Sequence, residues 1–174
     1  MPQHSIELLL LRHAKSSWAD EGMADHDRPL NARGIAAASR MGRLCRELDR
    51  VPDRILTSDA CRTRETVAGL TETSGFEGST TTTRMLYLAS PESILETVRE
   101  LGGDARRLLV VAHNPGMEGL MSRLASTPIH CPTATLSIFR ITEAGTMTWS
   151  DWSGEDATHL GTWRPRELPP PAAD

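Results

Sequence analysis

A chain of 174 residues, 39% of them hydrophobic and 24% charged, has enough apolar material for one packed domain and too little length for two. Its formal charge of -4, with no block of Lys and Arg, argues against non-specific nucleic-acid binding, which requires a basic face. No apolar run reaches the roughly 20 residues that cross a bilayer, and the amino terminus has no basic segment leading into a signal-peptide core, so no membrane association and a cytoplasmic location are expected.

The first element is a run of four leucines, Leu8 to Leu11, preceded by Ile6. It shows no two-residue alternation, which marks a strand covered on both faces, as in a parallel sheet between helices. It ends abruptly in Arg12 and His13. In open sheets of this kind ligands bind beyond the carboxyl ends of the strands, where these two residues fall. Residues 14 to 30 carry Asp, Gly and Ser without a period and read as a long functional loop. Asn31 is placed to cap a helix over 32 to 48, with Ile35, Ala38, Met41, Cys45 and Leu48 as its inward stripe, slightly weakened by Gly34 and Gly42.

Val51-Pro52-Asp53 breaks that helix before a second strand, Arg54 to Ser58, and a helix over 60 to 73. A threonine-rich third strand, Thr80 to Met85, leads to Ser90-Pro91-Glu92, a helix start followed by the apolar face Ile94, Leu95, Val98 and Leu101. Gly102-Gly103 stops it. A second continuous apolar run, Leu108 to Ala112, again ends in polar residues, His113-Asn114-Pro115-Gly116. Asn114 as cap and Pro115 in the first turn open a helix with Met117, Leu120, Met121 and Leu124 on one face. Thr135 to Ile141 and Met147 to Trp152, with a turn at Glu143-Ala144-Gly145 between them, predict an edge hairpin. The expected organisation is one domain over residues 1–163 and a proline-rich mobile tail over 164–174. Cys45, Cys61 and Cys131 are odd in number and lack metal-ligand spacing, so they read as packing residues. Strand and helix alternate as in a three-layer α/β/α sandwich around a mostly parallel sheet.

Two buried strands that each end in histidine bring His13 and His113 to one rim if the strands are neighbours. Arg12 follows apolar sequence, and a half-buried guanidinium needs an anion or carboxylate to offset its desolvation. Arg62 lies in the first turn of the helix after the second strand, where free backbone amides also favour anions. A surface ion pair with Glu65 or Glu72 is the plainer reading of Arg62.

Four stretches in this order, Arg12-His13-Ala14-Lys15-Ser16-Ser17-Trp18, Arg28-Pro29-Leu30-Asn31-Ala32-Arg33-Gly34, Ser58-Asp59-Ala60-Cys61-Arg62-Thr63-Arg64-Glu65-Thr66 and His113-Asn114-Pro115-Gly116, resemble the motifs of the histidine phosphatase superfamily, the phosphoglycerate mutase-like fold. The short length and the Leu-Arg-His-Ala-Lys-Ser-Ser-Trp opening resemble its SixA-type phosphohistidine phosphatase branch. The resemblance implies His13 as a nucleophile that becomes a transient phosphohistidine, with Arg12, Arg62 and His113 around the phosphoryl oxygens. It further implies Ser16 and Asn114 as substrate contacts, no metal or cofactor, and a phosphorylated protein or small phosphoester as substrate. Ala14 replaces the more usual glycine. Arg84 to Ser90 holds no carboxylate where mutase relatives carry an acid, and Asn114 stands where acid-phosphatase relatives have aspartate.

Asp25, Asp27, Glu92 or water remain as proton donors. An alkoxide leaving group needs such a donor, whereas imidazole, with a pKa of about 6.5, leaves as a neutral ring. The missing acid therefore favours phosphohistidine over alkyl phosphoesters. Two alternatives stay open: a phosphatase of small phosphomonoesters, and a binding module for phosphate or phosphohistidine without turnover. The cysteines lack the arginine six positions on that a cysteine-dependent phosphatase needs, and no glycine-rich phosphate loop is present.

Overall fold

The computed structural model describes residues 5–142 and 148–170. Among the described residues, six strands form one sheet: β1 (Ser5–Arg12), β2 (Arg54–Ser58), β3 (Ser79–Thr83), β4 (Arg107–Ala112), β5 (Leu136–Thr142) and β6 (Ala157–Trp163). Four helices connect them: α1 (Ala32–Glu47), α2 (Cys61–Ser74), α3 (Pro91–Leu101) and α4 (Gly116–Ala125). The strand order is β3-β2-β4-β1-β5-β6. The first four strands are mutually parallel, and β5 runs antiparallel to both β1 and β6.

The leucine run explains the layering. Leu8 to Leu11 are fully buried, and alternate residues feed opposite cores. Leu8 and Leu10 pack with Ile94, Val98, Met117 and Leu120 of α3 and α4, whereas Leu9 and Leu11 pack with Ala38, Met41, Val67 and Leu70 of α1 and α2. A strand with an apolar residue at every position has no face to give to water, so helices on both sides are its stable solution.

Local signals account for the helix starts. Asn31 Oδ1 accepts the Gly34 N–H at 2.9 Å, and Ser90 Oγ accepts that of Ser93 at 3.2 Å, ahead of Pro91. Gly34 and Gly42 are contacts more than weaknesses. A Cβ on Gly34 would lie 2.2 Å from the Lys15 carbonyl oxygen, and one on Gly42 would lie 2.3 Å from that of Leu70. The first lets α1 touch the loop after β1, and the second lets α1 and α2 pack closely.

Several elements differ from expectation. Residues 148–152 form no strand; the partner of β5 is Ala157–Trp163, and Met147 and the turn at 143–145 lie outside the described residues. The two tryptophans that suggested a strand instead anchor a turn in the core. Trp149 donates to the Ala105 carbonyl and Trp152 to that of Glu155, both at 2.7 Å, with their rings edge to face. Ile35 is 57% exposed, so the inward stripe of α1 starts at Ala38. The third strand spans Ser79–Thr83 and passes at Arg84 into one helical turn. Pro115, not Asn114, occupies the cap position of α4, although Asn114 Oδ1 still accepts the Glu118 N–H at 3.2 Å.

Residues 164–170, expected as the start of the tail, make defined contacts. Arg164 donates to the His130 carbonyl from Nε at 3.0 Å and from Nη2 at 2.8 Å, and Leu168 packs against the α1 side of the core. Among the described residues, no helix is long and apolar enough to cross a membrane.

Candidate active site

Because β1 and β4 are adjacent and parallel, with Arg12 opposite Ala112, the residues that follow them emerge side by side. The rings of His13 and His113 lie 5.1 Å apart between centroids. Arg62, in the first turn of α2 after neighbouring β2, joins them. Its Nε–H donates to His13 Nε2 at 3.3 Å and its Nη2 to His113 Nδ1 at 3.2 Å. All three side chains are buried, and the surface ion pair with Glu65 or Glu72 is not what holds Arg62.

The hydrogen bonds define both tautomers. His13 Nδ1–H donates to the Ala14 carbonyl at 2.7 Å, which leaves the Nε2 lone pair facing Arg62. His113 accepts at Nδ1, so its Nε2–H donates to Ser58 Oγ at 2.8 Å. Both imidazoles are neutral in the resting protein. Burial pushes His13 down to about 3, against the pull of the Ala14 carbonyl and with help from His113, Arg62 and Arg12. Burial and then the Arg62 charge push His113 down to about 4. Arg12 lies close enough to disfavour protonation of either ring. Its Nη1 donates to the Cys131 carbonyl at 3.0 Å, and its buried Nε–H has no protein partner among the described residues.

Asp25 faces this group from the loop after β1. Arg62 donates to its backbone carbonyl at 2.6 Å and to its Oδ2 at 3.0 Å. Arg28 Nη1 reaches Oδ1 at 3.0 Å, and the Tyr87 hydroxyl reaches Oδ2 at 2.8 Å. Burial pushes the Asp25 carboxyl up, but the Tyr87 hydroxyl and the Arg62 and Arg28 guanidiniums outweigh it and hold the group below the usual carboxylate range. The other carboxylates named as donors lie elsewhere. Asp27 is exposed beside His26, and Glu92 is exposed beside Arg123.

Sequence reasoning thus brings Arg12, His13, Arg62 and His113 to one place. Ser16 and Asn114 have structural partners: Ser16 Oγ accepts from Arg28 Nη2 at 2.6 Å, and Asn114 Nδ2 donates to the Cys131 carbonyl at 2.9 Å. The sequence reading missed Ser58 and Tyr87. Tyr87 is the only tyrosine of the chain and follows β3 at the same rim, its ring edge-on to His113 with centroids 5.3 Å apart. Its position after a strand end was the available signal.

The family model described as the histidine phosphatase superfamily (branch 1) matches residues 8–85. A relative from Mycobacterium tuberculosis strain H37Rv, an uncharacterized protein, is 39% identical over 116 residues, covering 67% of this chain and 70% of its own. Among solved structures, a protein of Agrobacterium tumefaciens named as phosphohistidine phosphatase SixA superposes with a TM-score of 0.76 at 25% identity, over 91% of this chain and 97% of that one. A SixA structure from Nakamurella multipartitia gives 0.77 at 26% identity, over 92% and 96%. The fold extends to an Escherichia coli structure named as an α-ribazole-5'-phosphate phosphatase, with a TM-score of 0.63 at 17% identity, over 88% of this chain and 94% of that one. These likenesses support a phosphatase with a phosphoglycerate mutase-like α/β/α sandwich. The chain belongs to the histidine phosphatase superfamily, in its SixA-type branch.

Proposed function

We propose that this protein hydrolyses phosphohistidine on a protein, through a phosphorylated His13. The observation that carries the reading is the hydrogen bond from His13 Nδ1–H to the Ala14 carbonyl, which fixes the tautomer so that the Nε2 lone pair turns into the cationic group, while burial keeps the ring neutral. An entering phosphoryl group draws the Arg62 N–H from Nε2 onto its own oxygens. The lone pair then forms the bond to phosphorus while the P–N bond to the substrate ring breaks, and its electron pair stays with that ring. A substrate imidazole protonated on its far nitrogen departs neutral and asks for no proton. Water then attacks the phosphorus on His13, inorganic phosphate leaves, and Nε2 regains its lone pair. Arg12, Arg62 and His113 spread over the phosphoryl oxygens as charge redistributes, with the unpartnered Arg12 Nε–H as a further donor.

The acid-base inventory favours a nitrogen leaving group. Asp25 is the one candidate donor beside the histidines, and its cationic neighbours keep it ionised, which makes it a poor acid for an alkoxide. Trapping labelled phosphate during turnover on a histidine-phosphorylated phosphotransfer protein tests the proposal. Acid-labile, base-stable label on His13 and loss of activity in His13→Ala are expected. Activity surviving His13→Ala, or equal efficiency on an alkyl phosphate, ends the phosphohistidine reading; phosphate release that stops at one equivalent identifies a binding module.

A further inference from the structure

Among the described residues, the large apolar side chains that stay exposed are Trp18, Met23, Ile35, Met85 and Leu88. All five sit at the rim that holds the histidines. Trp18 and Met23 lie in the loop after β1, Ile35 in the first turn of α1, and Met85 and Leu88 in the segment after β3. The opposite ends of the parallel strands carry charge instead, with Glu7 paired to Arg50, Arg107 and Arg140 and Arg54 paired to Asp104. Single exposed apolar residues mean little, but their confinement to one rim marks a contact surface.

Two details show that this exposure is maintained by structure. The Arg28 guanidinium carbon lies 3.2 Å from the centre of the Trp18 ring. Arg28 itself is fastened to the Ser17 carbonyl, Ser16 Oγ and Asp25, so the tryptophan is presented in a set orientation while 69% exposed. Leu88 is 54% exposed at a φ of 50°. A leucine rarely adopts that left-handed backbone, and here burial offers nothing in return. The loop after β1 and the segment after β3 meet over the site through Tyr87, whose hydroxyl binds Asp25 between Met85 and Leu88 in sequence.

We propose that this apolar rim docks the folded protein that carries the phosphohistidine; the inference rests on the function proposed above. A free phosphoryl compound would touch only the buried cationic group and has no use for a rim several side chains wide. Asp20 and Glu21, both exposed, lie between Trp18 and Met23. The partner that fits surrounds its phosphorylated ring with apolar side chains and sets a Lys or Arg against this acidic pair, which complementarity in charge steers into register.

The experiment compares kcat/KM for a histidine-phosphorylated phosphotransfer protein with that for free phosphohistidine. The variants are Met85→Gln/Leu88→Asn and Asp20→Lys/Glu21→Lys. Asn tolerates the left-handed backbone of position 88, so the first variant is expected to fold. Both variants should lose about tenfold or more on the phosphoprotein, mostly through KM, and change by less than about twofold on free phosphohistidine. Equal losses on both substrates, or none on either, overturn the docking surface. A dimer in sedimentation velocity that Met85→Gln/Leu88→Asn dissociates assigns the rim to a second copy and overturns it as well. Wild-type turnover of free phosphohistidine alone removes the docking surface and leaves the chemistry, whereas turnover of neither removes both.

Discussion

One guanidinium serves two rings: Arg62 donates to His13 at 3.3 Å and to His113 at 3.2 Å. A donor can point at an imidazole nitrogen only if that nitrogen carries a lone pair, so this single residue requires both rings to be neutral. Its remaining bonds, to the Asp25 carbonyl and carboxylate, fix the direction from which it does so.

The first prediction concerns protonation. With His13 held at about 3 and His113 at about 4, imidazole nitrogen NMR should show neither ring titrating between about pH 5 and 8. Both values lie below those of the unfolded chain, so the unfolded state takes up protons first as pH falls. The stability these groups contribute is complete above about pH 6.5 and is lost as pH drops toward 3, which denaturant titrations across that window should record. A ring titrating near pH 6.5 contradicts the geometry.

Asp25 separates positioning from proton donation. Asp25→Ala removes a carboxylate that accepts from Arg62, and charged hydrogen bonds of this kind are worth about 1.5–3 kcal/mol. A fall in kcat of roughly 10- to 100-fold is expected on a phosphoramidate and on an alkyl phosphate alike. Loss confined to the alkyl phosphate would mark Asp25 as the acid.

Asn114 tests how Arg12 is aimed. Arg12 Nη1 and Asn114 Nδ2 both donate to the Cys131 carbonyl, and the Cys131 N–H donates to Glu118 Oε2 at 2.9 Å. Asn114→Ala loosens this loop, so kcat should fall by about tenfold with far-UV circular dichroism unchanged. Asn114→Asp should not rescue activity, because it cannot donate to the carbonyl and puts a negative charge near the site. Full activity in Asn114→Ala would detach the loop from catalysis.

Away from the site, Glu7 is a structural clamp. Its buried carboxylate meets Arg50 at 3.0 Å, Arg140 at 3.0 Å and Arg107 at 3.5 Å, tying β1 to the end of α1, to β5 and to β4. Glu7→Ala strands three guanidiniums that are only partly exposed, and about 3 kcal/mol should be lost in urea titration, with catalytic constants of the folded fraction intact.

Local chemistry made part of this molecule legible from its residues alone. Leu8 to Leu11 and Leu108 to Ala112 declared buried strands because no polar residue interrupts them, and Asn31 and Ser90 declared helix starts through side chains that bond the next turn. The order of the motifs disclosed the family, and with it the four residues that meet at the rim. Tertiary structure alone decided the rest. Trp149 and Trp152 have the composition of a strand, yet the core takes them as turn anchors and β5 pairs with the less apolar stretch after them, because long-range burial overrides local preference. Ser16 and Asn114 go to Arg28 and Cys131, and Tyr87 arrives from a strand three positions away in the sheet from β1. Such partnerships join residues 12, 17 and 62 positions apart, beyond the reach of local pattern, and only the packing of the strands and their loops brings them together.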